Sequence, residues 1–498
     1  MKRHRHLIFL PCIVLAQIAP ALEVTTTPGD IADAIGDQTS ISSLTVKGQI
    51  NAADFEFIAD KLPALRSLDL SNTTVSAYDG EALITSARIA PAAEIPPYAL
   101  AGSQITSIML PQGITAIGEG AFLSVPLTAI EIPASVKTIG TAAFSGCRSL
   151  STVSIPSTVN SIGSHLFMGC DKLEKATLPA TLTTVPAATF ADCRLLADVT
   201  IPSSVTAIDS AAFAGCSALT AIDLGNGLKT IGAAAFRNSG ITEIDLRRSS
   251  SLEAIGSWAF ADCKALTSAQ IPDGVASIGE GAFWGDAALA TTNFPTATNR
   301  MENYTYNGAT SLDPSHISHG NITSIGDYAL RGLSQADKFE IPAALDSIGD
   351  YAMENWTSLK EMTAYTNSVP STGVDVWAGV NQPGVKLYVH TNMQSEFAEA
   401  PQWKEFDIEQ STGVSDDIIA GEADSGVKAF FSGTDLIVKA TTVIDNVRIY
   451  DSAAHQWAYV EPASEEIAID TAAWNSRIYI VAIVLADGRT ANLKLARR

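Results

Sequence analysis

Residues 196–216 read LADVTIPSSVTAIDSAAFAGC. An alternating apolar hexapeptide ends in Ile-Pro, a second short apolar run follows, and an Ala-Phe pair and a cysteine close the unit. The phrase recurs about eleven times along the chain. Its phenylalanine returns at Phe122, Phe144, Phe167, Phe190, Phe213, Phe236, Phe260 and Phe283, while Leu100, Leu330 and Met353 hold the same slot. From Leu100 to Met353 there are eleven steps over 253 residues, an average of 23. A fixed period in the low twenties predicts a solenoid, each phrase forming one turn stacked on the next.

Side chains alternate faces along a strand, so LTAIEIP at 127–133 turns Ile130 and Ile132 inward and Ala129 and Glu131 outward. Pro133 has no N–H to give a neighbouring strand, so the strand ends there. SVKTIG then buries Val136 and Ile139, Gly140 permits a tight corner, and TAAFSGC folds back to drive Phe144 into the core. One such unit cannot cover its own apolar side; stacked neighbours cover each other's. The phenylalanines should lie one above another at roughly 5 Å, the strand spacing. The fold class that follows is a right-handed, β-rich leucine-rich-repeat solenoid with a parallel sheet.

The 498 residues are 46% apolar, and 31 basic against 53 acidic side chains leave a net charge of −22. This disfavours nucleic acid and anionic membrane as partners, since both need basic patches. The N-terminus, MKRHRHLIFLPCIVLAQIAPALEV, has a basic start, an apolar run from Leu7 to Ala16 and Ala19-Pro20-Ala21, which predicts a secretory signal peptide over residues 1–21. Cleavage after Ala21 discards Lys2, Arg3 and Arg5 and brings the mature chain near −25. Cys12 lies inside the apolar run behind Leu10-Pro11, which argues against lipidation. No other stretch reaches about 18 apolar residues, so no transmembrane helix is expected.

Five cysteines remain after cleavage: Cys147, Cys170, Cys193 and Cys216 at intervals of 23, and Cys263 two turns later. An odd number in one repeat column reads as a file of small buried residues closing each turn rather than a disulfide framework. Metal binding would need closer clustering, so no metal or cofactor is expected.

Before the regular turns, residues 22 to about 40 read as a polar lead-in, SSLTVKGQ as a strand, and AADFEFIADKL as a helix capped by Asn51 with Phe55, Ile58 and Leu62 on one face. LRSLDLSN at 65–72 reads as a further strand and residues 76–96 as a loop. Residues 22–96 would thus cap the first turn of a solenoid spanning 97–410. The signal peptide, LTVKGQINAADFEFIADKLPALRSLDLSN and the IPxSVTxIGxxAFxGC phrases together resemble the BspA-type leucine-rich repeat proteins, surface proteins mostly of anaerobic Gram-negative bacteria. The resemblance covers about residues 40–410, including SVPSTGVDVWAGV, KLYVHTNM and APQWKEFDIEQ as a closing unit. It implies the fold, and a binding role without a named partner.

Between Phe283 and Leu330 the spacing is 47, about two turns. Counting from Pro295 puts Met301 in the isoleucine slot and Tyr306 in the phenylalanine slot, and Pro314 interrupts the strand of the turn after. Irregular turns in solenoids bulge outward, and a bulge here would carry Tyr304, Asn307, His316 and His319. Binding insertion and drift in a tolerant loop are the two readings. From about residue 414 to 498, SGVKAFFSGTDLIVKA, VIDNVRIYDS, EEIAIDTAAW, SRIYIVAIVLA and GRTANLKLARR alternate as strands of a small β-sandwich. NVRIYD, IYIVAI and the basic ending NLKLARR resemble a C-terminal sorting domain of the type IX secretion route. Arg477 and the region of Ala454 depart from that pattern, each standing where a glycine is usual; a plain accessory sandwich is the other reading.

No nucleophile elbow, His-Glu-x-x-His, phosphate loop or calcium loop is present in the sequence, so an enzyme is not expected. The outward positions just before each Ile-Pro form two columns on the sheet face, which carry Glu131 and, within three turns, Asp198, Asp223, Glu243 and Asp245. Four carboxylates so close would repel unless a cation or basic partner sits there; the other reading is a solvated face with screened charge. With Tyr304 and Tyr306 these are the candidate binding residues. The expected function is a secreted or cell-surface binding or adhesion protein meeting a protein or glycan of a host or bacterial surface. The alternatives are an envelope-associated spacer in the periplasm and a glycan-utilisation accessory protein.

Overall fold

The structure, a computed structural model, describes residues 21–80, 89–317, 321–364, 366, 368–410, 427–432, 435–451, 456–460, 464–471, 478–486 and 490–496. The signal peptide read over residues 1–21 lies, but for Ala21, outside these. Two compact units are present: one runs to residue 359 and includes 370–381, and the other comprises 360–369 and everything from 382 onward.

The first unit opens with β1 (Ala21–Thr26), α1 (Ile31–Ile35), β2 (Ser43–Ile50), α2 (Ala52–Lys61) and β3 (Ser67–Val75). The strands are parallel in chain order, and β3 pairs with Ser107–Met109 of the first regular turn. The lead-in read as polar over residues 22–40 also carries a strand and buried apolar residues: β1 lies in register on β2, with Val24 opposite Val46, and Ile31 and Ile35 are buried. A buried carboxylate fixes this cap. Asp54 accepts from the backbone N–H of Gly29 at 2.8 Å, of Ile31 at 3.0 Å and of Asn51 at 2.8 Å. The Asn51 side chain accepts from Ala53 N at 2.9 Å, completing a capping box on α2. Within the polar TTTPGD stretch, Gly29 meets Asp54 through its backbone N–H.

In each regular turn two short strands and a folded-back corner follow one another. The first strand pairs with its copy a turn away, as Lys175–Thr177 does with Asp198–Thr200, and the second does likewise, as Ile117 does with Ile139. The first file is interrupted at 129–131 and 221–223, which are not strand. At the second break Asp223 accepts from Gly225 N at 2.9 Å, a local turn that competes with the ladder. From Phe122 to Phe283 successive rings stack with centroids 5.1–5.7 Å apart and planes within 1–19°. Leu100, Leu330 and Met353 are buried in the same file.

The folded-back side carries its own ladder. In the turn of Tyr304, the N–H groups of Tyr304, Tyr306 and Gly308 donate to Asp327, Ala329 and Arg331 of the next turn at 2.8–2.9 Å. Tyr304 and Gly308 adopt positive φ of 60° and 82°, so alternate N–H groups point the same way along the solenoid. Every regular turn repeats this geometry, and the first of the two left-handed positions is mostly not glycine.

The stretch expected to bulge is regular at Tyr304. Arg300–Met301 pairs with Ser324–Ile325, Met301 is buried, and Tyr306 stacks on Phe283 at 5.4 Å. The irregularity lies one strand later, where Pro314–His316 forms a 3₁₀ turn capped by Asp313. Residues 318–320, with His319, lie outside the described residues.

In the second unit, Glu361–Ala364, Lys386–Val389 and Asp407–Gln410 form a parallel ladder. Antiparallel strands follow. The long strand Asp435–Asp451 pairs at one end with Val427–Ser432 and Ser464–Asp470, and at the other with Gln456–Val460 and Ile478–Leu485. Leu436 and Val438 from one half and Val447, Ile449 and Val481 from the other share a single apolar core. The C-terminal strands thus form one antiparallel sheet whose two halves share the strand Asp435–Asp451.

Phe213 sits mid-stack, 5.4 and 5.3 Å from its neighbours. Phe213→Ala should lower unfolding stability by about 3–5 kcal/mol through the cavity it opens. Phe213→Leu, using the residue native to the slot at Leu100 and Leu330, should lose clearly less. Urea denaturation followed by far-UV circular dichroism would separate the two, and equal losses would remove the stack from its central role.

Candidate functional site

The five acidic candidates are exposed on the first strand file or its breaks, but they are not an unrelieved cluster. Asp198 pairs with Lys175 one turn before it. Arg247 grips Asp245 as a fork, Nε to Oδ1 at 2.9 Å and Nη2 to Oδ2 at 2.8 Å, and donates its backbone N–H at 3.0 Å. The side-chain fork and the backbone bond hold the Asp245 carboxyl down to about 2. Mutual repulsion would have raised it. Ala221 separates Asp198 from Glu243 along their column, and Asp223 and Glu131 sit where the ladder is interrupted. Of the five, Asp198 and Asp245 are ion-paired and Asp223 accepts a backbone N–H.

Tyr306 is fully buried in the ring stack, its place fixed by the repeat, so it is a core residue and offers nothing to a ligand. Desolvation pushes its hydroxyl above the ordinary tyrosine range. Tyr304, two residues earlier, is at the corner and half-buried. It is one rung of a larger feature. Its ring stacks on Tyr328 at 5.1 Å and 2°, and Tyr328 stacks on Tyr351 at 5.2 Å and 14°. On the other side Trp258 approaches Tyr304 at 6.2 Å across the intervening turn, and Trp284 meets Trp258 edge-on at 6.0 Å. The intervening turn has Gly281 in this slot, where an added Cβ would come within 2.5 Å of the Trp258 ring. All five aromatic side chains are half-buried, and together they make a ridge over five successive turns.

The corner holds the ridge by backbone and carboxylate bonds. Asn303 Oδ1 accepts from Asp327 N at 2.8 Å, Asp327 Oδ1 from Asp350 N at 2.8 Å, and Asp350 Oδ1 from Val374 N at 2.7 Å. These side chains lie across Gly326, Gly349 and Gly373, where a Cβ would meet them at 2.3–2.5 Å. Beside the ridge runs a shallow groove lined by Arg300, Asn303, Ser324, Gly326, Asp327, Ser347 and Gly349. Arg331 lies 5.7 Å from the Tyr328 ring centre and pairs with Glu354 at 2.6 Å.

The cysteine file is structural. The thiols of Cys147, Cys170, Cys193, Cys216 and Cys263 donate to the carbonyl of the preceding turn's phenylalanine at 3.1–3.2 Å. Burial pushes Cys216 and Cys263 up to about 12, well away from thiolate chemistry. Asp286 continues the file, buried, with neither carboxyl oxygen in a hydrogen bond. Among the described residues no group of three or more His, Cys, Asp or Glu is placed to hold a metal.

A family model of the BspA type leucine rich repeat region matches residues 93–220, 183–313 and 304–382. The chain belongs to the BspA-type leucine-rich repeat family. Leucine-rich repeats of this kind typically mediate protein interactions and surface display and are typically non-enzymatic. Among solved structures, a leucine-rich repeat protein from Bacteroides ovatus is 20% identical with a TM-score of 0.58, covering 73% of this chain and 87% of its own. That likeness shows the same fold. A leucine rich cell surface protein from Faecalibacterium prausnitzii is 28% identical over 57% of this chain and 85% of its own, with a TM-score of 0.40. A leucine-rich repeat protein from Eubacterium ventriosum is 20% identical over 59% and 82%, at 0.37. No curated protein sequence matches the chain.

The ridge was written in this BspA-type sequence as SWAF, NYTY, DYAL and DYAM, an aromatic two residues before the core slot in four turns. Sheet-face reasoning passes over it because the position lies on a corner.

Asp286 yields a test of the buried file. Burial raises its carboxyl from 3.8 to about 9, so the folded chain keeps a proton that the unfolded chain loses above 3.8. The Asp286 contribution should therefore be full below 3.8 and be lost as pH rises toward about 9. Asp286→Cys, restoring the residue of the file, should stabilise the protein at neutral pH and flatten this slope. Melting curves of both forms at several pH values would show it, and parallel slopes would mean Asp286 does not carry the effect.

Proposed function

We propose that this protein is exported and displayed at the cell surface, where it binds a macromolecular partner along its solenoid. The observation that carries this is the five-turn aromatic ridge. Half-exposed Trp and Tyr side chains in a continuous row leave apolar surface in water, and such residues dominate contact energy at binding surfaces. The neighbouring groove is shallow and open, which suits a chain or a surface rather than an enclosed small substrate. The typical role of the family, in protein interaction and surface display, supports the same reading.

Export rests on the sequence of residues 1–21, and display on the likeness of residues 414–498 to a type IX sorting domain. The C-terminal strands have their own apolar core, as a separately recognised module requires. Among the described residues no helix is long and apolar enough to cross a membrane. Adhesion to a host or bacterial surface is the function that joins these properties.

Protease treatment of intact cells, followed by blotting for the repeats, tests display. The full chain should be shaved, while a chain ending at residue 413 should be protected and retained in the periplasm. Shaving of both forms would set aside the sorting role of the tail. Protection of both would set aside adhesion and leave a periplasmic spacer.

A further inference from the structure

The geometry points to the ridge of Trp258, Trp284, Tyr304, Tyr328 and Tyr351, with the groove beside it, as a binding site for an extended, uncharged oligosaccharide. This rests on the reading of the chain as a surface binding protein and names the chemical class of its partner.

Charge is the first reason. Most carboxylates near the ridge are already engaged within the chain, exposed Glu280 beside Gly281 apart: Glu302 pairs with Arg300 at 3.2 Å and Glu354 with Arg331 at 2.6 Å. Asp327 and Asp350 accept backbone N–H groups at 2.7–2.8 Å. A cationic ligand would find little unmatched negative charge there, and an anionic one would approach a molecule of net charge −22. What the site still offers is hydrogen bonding and apolar surface. Ser324, Ser347 and the Asn303 amide line the groove, and the guanidinium of Arg300 adds fixed planar donors. Sugars present the complement: an apolar C–H face ringed by hydroxyls that donate and accept.

Ring geometry is the second reason. Tyr304, Tyr328 and Tyr351 lie face to face, so the faces they share are spent on one another, while each side chain stays half-exposed. A row of phenols repeated at each turn suits a ligand whose own hydroxyls repeat. At the other end Trp284 and Trp258 meet edge to face, leaving apolar indole surface for a pyranose ring. Five turns at the strand spacing make the row roughly 20 Å long, the scale of a short chain rather than one sugar. A folded protein partner would bury roughly 800 Å² on each side around an apolar centre, and the ridge is one side chain wide.

The triple variant Tyr304→Ala, Tyr328→Ala, Tyr351→Ala removes the phenols without disturbing the corner, because Ala142, Ala188, Ala211 and Ala234 hold the same slot at φ of 52–56°. Native and variant full-length proteins would be run in affinity gels cast with neutral polysaccharides: a β-1,4-glucan, a mixed-linkage β-glucan, an α-1,4-glucan and a mannan. Circular dichroism melts would confirm equal folding. We expect retardation of the native protein by at least one polymer, weakened roughly tenfold or more in the variant. No retardation in any gel, or equal retardation of both forms, would overturn the assignment. Adsorption of both proteins to host and bacterial cells separates the two levels. Ridge-dependent adsorption without polysaccharide binding would sink the glycan and keep the surface-binding reading; adsorption by neither would remove both.

Discussion

Each turn of the solenoid depends on the phenylalanine of its neighbour. A turn of about 23 residues encloses too little to cover its own apolar side, so ordering its backbone is repaid only when the next ring lands on it. That landing imposes a length rule. Strand, second strand and corner must return the chain to the same register, since a slipped ring would leave both the stack and the ladders. The step from Tyr306 to Leu330 takes 24 residues and gives up a strand at Pro314–His316, that from Phe236 to Phe260 takes 24 and keeps both strands, and Leu330 and Met353 continue the file beyond. At each end something other than a repeat must serve as the neighbour, which is why β1 and α1 are drawn into the cap around buried Asp54.

The same translation governs the charges. Lys175 with Asp198, Arg148 with Asp171 and Arg331 with Glu354 are each 23 residues apart, one turn along the axis. Exposed pairs of this kind add little stability individually. Their effect is local neutrality on a strongly acidic chain, and it explains why carboxylates that look crowded in a one-dimensional reading are not crowded on the surface.

What was legible in the sequence was whatever translates by a whole turn. The spacing of Phe122 through Phe283 gave the stack, counting from Pro295 placed Met301 and Tyr306 correctly in the core, and Asn51 announced its helix. What was hidden depends on bonds to distant backbone. The ordering of residues 22–40 is hidden because Gly29 and Ile31 find their partner in Asp54, more than twenty residues along the chain. Tyr304 looked like part of a bulge because its neighbours in sequence are irregular, although its neighbours in space, Tyr328 and Tyr351, are not. Arg247 beside Asp245 was in plain view, but only the three-dimensional fork between them shows that it offsets the charge of its partner.

The left-handed corner has a consequence of another kind. Backbone N–H groups hold that position to the next turn, and its side chain takes no part, so Gly120, Ala142, His165, Trp258 and Tyr328 all occupy it with nearly the same φ. Stability and surface chemistry are thereby assigned to different atoms of one residue. A single codon change at a corner can add or remove one rung of the ridge while the turn beneath it stays as it was. The solenoid thus works like a rack of interchangeable positions, along which a contact surface can be lengthened, shortened or moved one turn at a time by drift and selection.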